Sequence, residues 1–545
     1  MRLPLISLGS LVLLTSVGCW EDTRPIAWDR PRTVLGPIPL KTQVAYVDSA
    51  LDRVTLIDLA EDTPTIRHAS VGRRAAYAIP SPDRHKLFVI TRGEEAIHEG
   101  EIDQPPLFWV VDADHPESAP LAYPIGSPFD RVSVSPDGNT AIAYFSATGP
   151  DAEGFFRNPN ELAIIDLATE PREAATEELA ANPTLETIRS FGSVPEGIAL
   201  SPPMIVAGAI DSEPRTFAFI LSPNNLTVID TKHPRRREIS IRLDLGGPAV
   251  IPREVVFAPN TASAYVRSDQ ARDILQVVLQ PDLPETAESN DFRPVLAELG
   301  AGGGPTDIAV YDDPSGKRYV IAATPNTGEV VVIDADTAQF RSIPVADPID
   351  RIVLFPSSNQ VGATMGETSP HQALLASLGA NISRVHVLSL DQIQDPLTQT
   401  RLDTIQLDKP IRDVVPVPDR DLAMIVHDDA RTVLGLLDIE TRSTSPLLGV
   451  GKLDSYDFSP DGSHLIGATK NVSRVGFLAL DNLHPTDFRL DDLPVRVLST
   501  TNGKIFVDHG QPLGHATIIP SPRAVRGDAI ILSGFLTANL LDSEP

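Results

Sequence analysis

Along most of this chain, short apolar runs alternate with polar turns, and one run recurs in recognisable form. It is a tripeptide or tetrapeptide rich in Leu, Ile and Val that closes on Asp: Thr55-Leu56-Ile57-Asp58, Val110-Val111-Asp112, Ile164-Ile165-Asp166, Val228-Ile229-Asp230, Val332-Ile333-Asp334 and Leu436-Leu437-Asp438. Weaker copies around Leu279, Leu388, Leu478 and Ile519 complete a series with a spacing of about fifty residues. Runs this short, β-branched and bounded by turn residues predict strands rather than helices.

The clearest unit runs from Asp454 to Asp492. Tyr456-Asp457-Phe458 leads into the turn Ser459-Pro460-Asp461-Gly462, followed by His464-Leu465-Ile466-Gly467, Val475-Gly476-Phe477-Leu478 and Phe488-Arg489-Leu490. In the turn, Pro presets φ, Asp bonds the backbone ahead of it, and Gly takes the left-handed position. The same tetrapeptide stands at Ser135 to Gly138, with variants at Ser81-Pro82-Asp83, Ser201-Pro202, Ala258-Pro259-Asn260, Val417-Pro418-Asp419 and Thr501-Asn502-Gly503. The Asp that closes the third run is read as a turn former, since its short carboxylate can bond the next backbone amides.

Four short antiparallel strands per unit, repeated in series, predict an all-β chain with the architecture of a β-propeller. Nine complete units begin near residues 75, 130, 195, 252, 305, 349, 411, 454 and 494. A tenth, from Val44 to about Val71, shows only its last three strands, and Gly534 to Leu541 is the expected supplier of the missing one. That pairing would close the ring and remove two sheet edges. The turns and strands resemble YVTN-type and lactonase-like propeller repeat proteins, and the Ser-Pro-Asp-Gly turns resemble those of TolB-like propellers, over about residues 43 to 541. The resemblance implies seven or eight blades. Against it, ten units mean either an unusually large ring or a decorated hairpin counted as a blade.

The N-terminus reads differently. Arg2 precedes an apolar run from Leu3 to Leu14, and Thr15-Ser16-Val17-Gly18 leads to Cys19, the single cysteine in 545 residues. Residues 1–18 are expected to be a secretory signal peptide, too short for a stable span. A lone Cys at the point of cleavage makes no internal disulfide. The segment resembles a bacterial lipoprotein lipobox, with Ser16 in place of the usual Leu, which implies that Cys19 is lipidated. Residues 19–42 then form a Pro-containing tether and 43–545 a single domain. The expected location is the bacterial envelope, exported and held to the membrane by the lipid alone.

A formal net charge of -28 opposes binding to nucleic acid. There is no Gly-x-Ser-x-Gly elbow for a serine hydrolase and no pair of cysteines for haem attachment. Gly300 to Gly304 leads into a strand, which makes it an inter-blade turn rather than a phosphate loop.

Candidate chemistry gathers where the inner strands begin. Arg131, Glu196, Arg253, Asp307, Arg351, Arg412 and Arg496 alternate in sign around the expected channel mouth, in the company of Arg74, Asp130, Glu254, Asp350, Asp413 and Asp454. Such residues either tie neighbouring blades through Arg-carboxylate pairs or converge on a polar ligand. Three long connections, Gly93 to Pro106, Ser146 to Asn160 and Gly366 to Asn381, are assigned to the loops between second and third strands, on the same face. His427, Asp508, His509 and His515 are weak metal candidates without a compact ligand spacing. The carboxylates from Glu94 to Asp103 could hold a hard cation only weakly. Helices are expected on the rim at Glu170 to Leu185 and Gln372 to Leu378. The reading that results is a monomeric envelope lipoprotein that binds a protein or a small polar ligand without catalysis. No cofactor is predicted, although a divalent cation is compatible. The alternative is a lactonase-like or other hydrolase with a polar or metal site in the channel.

Overall fold

The computed structural model describes residues 32–537 except 95–102, 147–157, 173–179, 190–193, 245–246, 287, 356–369, 380, 392, 394–399, 428–431 and 449–452. The described residues form ten four-stranded antiparallel sheets, each with its strands in sequence order. The first strands of blades 1 to 10 are Val34–Pro39, Ala75–Pro80, Arg131–Val134, Gly197–Leu200, Ile251–Phe257, Asp307–Asp312, Arg351–Phe355, Ile411–Pro416, Ser455–Phe458 and Arg496–Ser499. First strands of successive blades lie side by side, whereas a fourth strand such as Thr65–Ser70 is largely exposed. The first strand is therefore the inner one.

The second and third strands carry the apolar repeat, and they are buried on both sides. Gln43–Asp48 and Phe217–Ser222 are buried at every position. Both faces are covered because each blade packs against two neighbours, which explains why these strands read as continuous apolar runs. Ten apolar cores result, one between each adjacent pair of blades. The last of these joins blade 10 to blade 1, so the ten sheets form one closed ring.

The closure differs from the expectation. Blade 1 has its own inner strand, Val34–Pro39, which pairs with Gln43–Asp48 from Val34 opposite Asp48 to Pro39 opposite Val44. This stretch reads as tether in the sequence because Gly36-Pro37 interrupts its alternation. The register shifts between Leu35 and Ile38 to accommodate them. Gly36, at φ 135°, lies so close to the next strand that a Cβ there would sit 2.8 Å from the Ala45 carbonyl oxygen. Blade 10 likewise has its own fourth strand, Ile530–Ser533. The C-terminal segment adds no strand to blade 1 through Thr537; residues 538–541 of the expected strand lie outside the described residues. Instead Phe535 and Leu536 enter the core shared by blades 1 and 10, with the Phe535 ring 5.4 Å from that of Tyr46. The Arg53 guanidinium donates to the Thr537 carbonyl at 2.8 Å.

The turns follow the chemistry read from the sequence. In blade 3 the Ser135 hydroxyl donates to Asp137 at 2.5 Å and accepts from the Thr140 amide, while Gly138 sits at φ 72°. Blades 2 and 9 repeat this with Ser81 and Asp83, and with Ser459 and Asp461. The Asp that closes the third strand accepts the amide two residues ahead in Asp58, Asp112, Asp166, Asp230 and Asp334, and three residues ahead in Asp438.

Two local expectations are corrected. Gln372–Ala376 is the second strand of blade 7, not a helix, because its apolar residues pair with Arg351–Phe355 and Arg384–Ser389. The long connection of that blade therefore lies between its first and second strands, on the opposite face from the one assigned to it. Around the expected Glu170 to Leu185 helix, Arg172 and Asn182 form an antiparallel bridge and Thr184–Thr187 is a strand; residues 173–179 lie outside the described residues. The helical content among the described residues is one 3-10 turn, Arg526–Asp528. No helix there is long and apolar enough to cross a membrane. Residues 1–18 and Cys19 are outside the described residues.

Candidate recognition face

The start of every inner strand, the link that feeds it, and the turn between second and third strands lie at one end of the ring, here called the upper face. The sequence places its charged candidates there, and two of them owe their position to a bulge. In blade 5 the register shifts between Pro252 and Glu254, and in blade 8 between Ile411 and Asp413, which leaves Arg253 and Arg412 as the extra, unpaired residues. A bulge re-aims a side chain and breaks strict alternation.

Several of the candidates bond to each other or to a neighbour. Arg253 donates through Nε to Asp269 at 2.6 Å and through Nη1 to Glu196 of blade 4 at 3.3 Å. Arg351 of blade 7 donates to Asp413 of blade 8 at 2.6 Å. Arg131 donates to the Asp130 carbonyl at 2.8 Å, and its guanidinium lies 5.3 Å from the ring centre of Tyr77 in blade 2. Asp307 of blade 6 accepts the Ile352 amide of blade 7 at 2.6 Å, and burial is the main reason its carboxyl is pushed up to about 6. A similar latch joins blades 9 and 10, where Asp457 accepts the Ser499 amide at 2.8 Å and Ser455 accepts that of Val497 at 3.0 Å. Neighbouring inner strands are thus tied by side chains as well as by packing.

Arg412 and Arg496 are different. Arg412 is half-buried and Arg496 exposed, and the side chain of neither has a hydrogen bond or ion pair among the described residues. Arg412, Arg351 and Asp413 are close enough to Tyr456 to act on its hydroxyl, which burial first and Asp413 second push upward. Arg496 is placed against the buried Asp508 and Tyr46 of the closing interface.

The remaining candidates are spread out. His427 is buried with Nδ1 3.2 Å from the Pro410 carbonyl oxygen. His509 is held between the Leu493 carbonyl and the Thr517 hydroxyl, and burial lowers its pKa. His515 lies beside His509, ring centres 4.7 Å apart, and bonds the Ser533 hydroxyl at 2.8 Å. Among the described residues no group of three His, Cys, Asp or Glu side chains is arranged to hold a metal ion. Of the Glu94 to Asp103 loop, Glu94 pairs with Arg73 at 2.6 Å and residues 95–102 lie outside the described residues.

One polar cluster on the opposite face has no counterpart in the motif reading. Arg215 of blade 4 is wholly buried and donates to Asp230 and Asp291, each at 2.8 Å. Its guanidinium lies 5.4 Å from the Phe217 ring centre and 5.7 Å from that of Phe292. Arg236 donates to the same Asp291 oxygen at 3.0 Å, and the Asp211 amide to the other oxygen at 2.8 Å. Residues from a 1–2 connection and two 3–4 connections meet here, at sequence separations no local pattern reveals.

No protein-family model matches the chain. No curated protein matches it either. Among solved structures it is similar to the dihydro-heme d1 dehydrogenase NirN in complex with DHE, at 12% identity and a TM-score of 0.40, covering 84% of this chain and 78% of that one.

Proposed function

We propose that the protein is an exported, lipid-anchored recognition module that binds, without catalysis, a partner presenting acidic groups to the upper face of the ring. The observation that supports this most directly is the state of the arginines at the channel mouth. In a chain of net charge -28, Arg253 and Arg351 are paired with carboxylates, whereas Arg412 and Arg496 form no ion pair or hydrogen bond among the described residues. A bulge sets the backbone of Arg412 on a ring whose inner strands are latched together. Attachment through Cys19, expected from the sequence, would hold the ring at the envelope membrane.

The test is capture from envelope extract by the full chain, compared with a folded Arg412→Ala, Arg496→Ala double variant. A partner retained by the parent and lost by the variant supports the reading. A partner retained equally by both rejects the mouth as the site.

A further inference from the structure

On the side of blade 9 that faces blade 8, side chains are missing where other blades carry them. Across the second and third strands, His464–Ala468 and Arg474–Ala479, Gly467 stands opposite Gly476. At the position matching Gly476, blades 1, 3, 6 and 10 carry Thr55, Ala163, Val331 and Thr517, all buried. Gly467 has a packing reason, since a Cβ there would sit 2.9 Å from a Leu453 methyl carbon. Gly476 has none. Its φ is not positive, and among the described residues a Cβ there would meet one atom within 4 Å, the Gly467 carbonyl oxygen at 3.8 Å. A glycine inside a strand weakens it and often marks the close approach of a ligand.

The gap is part of a cleft of about 560 Å³ between blades 8 and 9, the size of a small-molecule site. Leu434 and Leu447 of blade 8, with Leu453, Leu465, Leu478 and Leu483, form its apolar walls. Leu447, Leu453, Leu478 and Leu483 are only half-buried, so the cleft exposes apolar surface that a ligand would take out of water. The third strand rises about 13 Å from Arg474 to Leu478, the span of an extended chain of about ten carbons. Charge at the mouth of the cleft is matched, as Arg474 donates to Asp487 at 2.9 Å with both side chains more than half exposed. Among the residues that line the cleft no cation is left over for an acid, and the net charge of -28 disfavours one.

We infer that this cleft binds an uncharged aliphatic molecule of medium chain length, an alkanol-like amphiphile, with its chain laid over Gly476 and its polar end at the mouth beside Arg474 and Asp487. The site lies among the outer strands, apart from the channel mouth, and stands whether or not the upper face binds a macromolecule.

The experiment is photolabelling of the full chain, detergent-solubilised, with 3-azioctanol, followed by peptide mapping. The expected result is saturable labelling of the strands around Gly467 and Gly476 or of the facing Leu434 and Leu447, competed by excess 1-octanol and not by octanoate at the same concentration. Gly476→Leu puts a side chain into the cleft and removes a glycine from a strand interior, so it should cut the labelling about ten-fold while the melting temperature holds or rises. Leu283→Ala, at an exposed leucine of blade 5, should leave the labelling unchanged. Labelling that does not saturate, that maps elsewhere, that octanoate competes equally, or that persists in a folded Gly476→Leu would each overturn the assignment. Mapping and competition use the parent chain, so they decide the matter even if the variant does not fold.

Discussion

Arg215 donates to Asp291 at 2.8 Å with both side chains excluded from water, so a salt bridge rather than a strand pair fastens the outer connections of blades 4 and 5. Burial by itself would push the Asp291 carboxyl up, but the Asp211 amide and then Arg215 and Arg236 outweigh it and hold the group below the usual range. Taking away Arg215 leaves two buried carboxylates with Arg236 alone, whereas taking away Asp291 leaves Arg215 bonded to Asp230. Arg215→Met should therefore destabilise the ring by about 3–5 kcal/mol even though it keeps the apolar contacts with Phe217 and Phe292, and Asp291→Ala should cost less. Chemical denaturation of the two variants checks the order; equal and small losses would reject it.

The pH dependence should carry the signature of Asp307. Its carboxyl is raised from 3.8 to about 6, with burial as the first cause. The folded state then binds more protons than the unfolded state between those values, so this group's contribution to stability falls as pH rises through the window and is lowest above about 6. Asp457 and Asp508 are pushed the same way, again by burial first. Asp307→Asn imitates the protonated form and can still accept the Ile352 amide. It should gain about 1–2 kcal/mol over the parent at neutral pH and nothing below pH 4. Melting temperatures of the pair across that range decide it, and a difference that does not vary with pH would count against the assignment.

Among the described residues the C-terminal segment closes the ring through Phe535 and Leu536 and not through a strand. Both are buried against Tyr46 and Phe506 in the core between the first and last blades. Phe535→Ala should cost about 3–5 kcal/mol. Truncation after Ser533 should lower the melting temperature further, by also removing the Arg53 bond to the Thr537 carbonyl. Hydrogen exchange separates the two modes of closure. In the truncated chain the amides of Val34–Pro39 should keep their pairing with Gln43–Asp48 and exchange no faster relative to the rest of blade 1.

The parts of this architecture that were legible are those written locally. Asp334 and Asp438 could be read as turn formers because each bonds amides within a few residues, and Ser135-Pro136-Asp137-Gly138 closes its hairpin entirely from within. The inner strand of blade 1 was hidden because Gly36-Pro37 breaks the alternation that marks a strand, and Gln372–Ala376 because its run of Ala and Leu suits either a helix or a strand buried on both faces. The candidate site was legible as a ring of charges at strand starts. Which arginine is paired was not, since Arg351 meets Asp413 from 62 residues away and the bulges at Arg253 and Arg412 have no local signature. The buried Arg215 cluster was invisible for the same reason, as its carboxylates lie 15 and 76 residues along the chain.

The difference between paired and unpaired arginines gives the last prediction. Arg351 and Asp413 are both part exposed, so their bond contributes only about 0–1 kcal/mol and Arg351→Ala should be nearly silent in thermal stability. Arg412→Ala should be equally silent, because among the described residues no ion pair or hydrogen bond is lost. Partner capture should separate them. Loss of Arg412 removes a cation that forms no ion pair among the described residues, and binding should weaken about ten-fold with a reduced dependence on salt. Loss of Arg351 frees Asp413 to face Arg412, which lowers capture indirectly, and Arg351→Ala, Asp413→Ala together should restore it. Failure of the second substitution to restore binding would show that Arg351 contacts the partner itself.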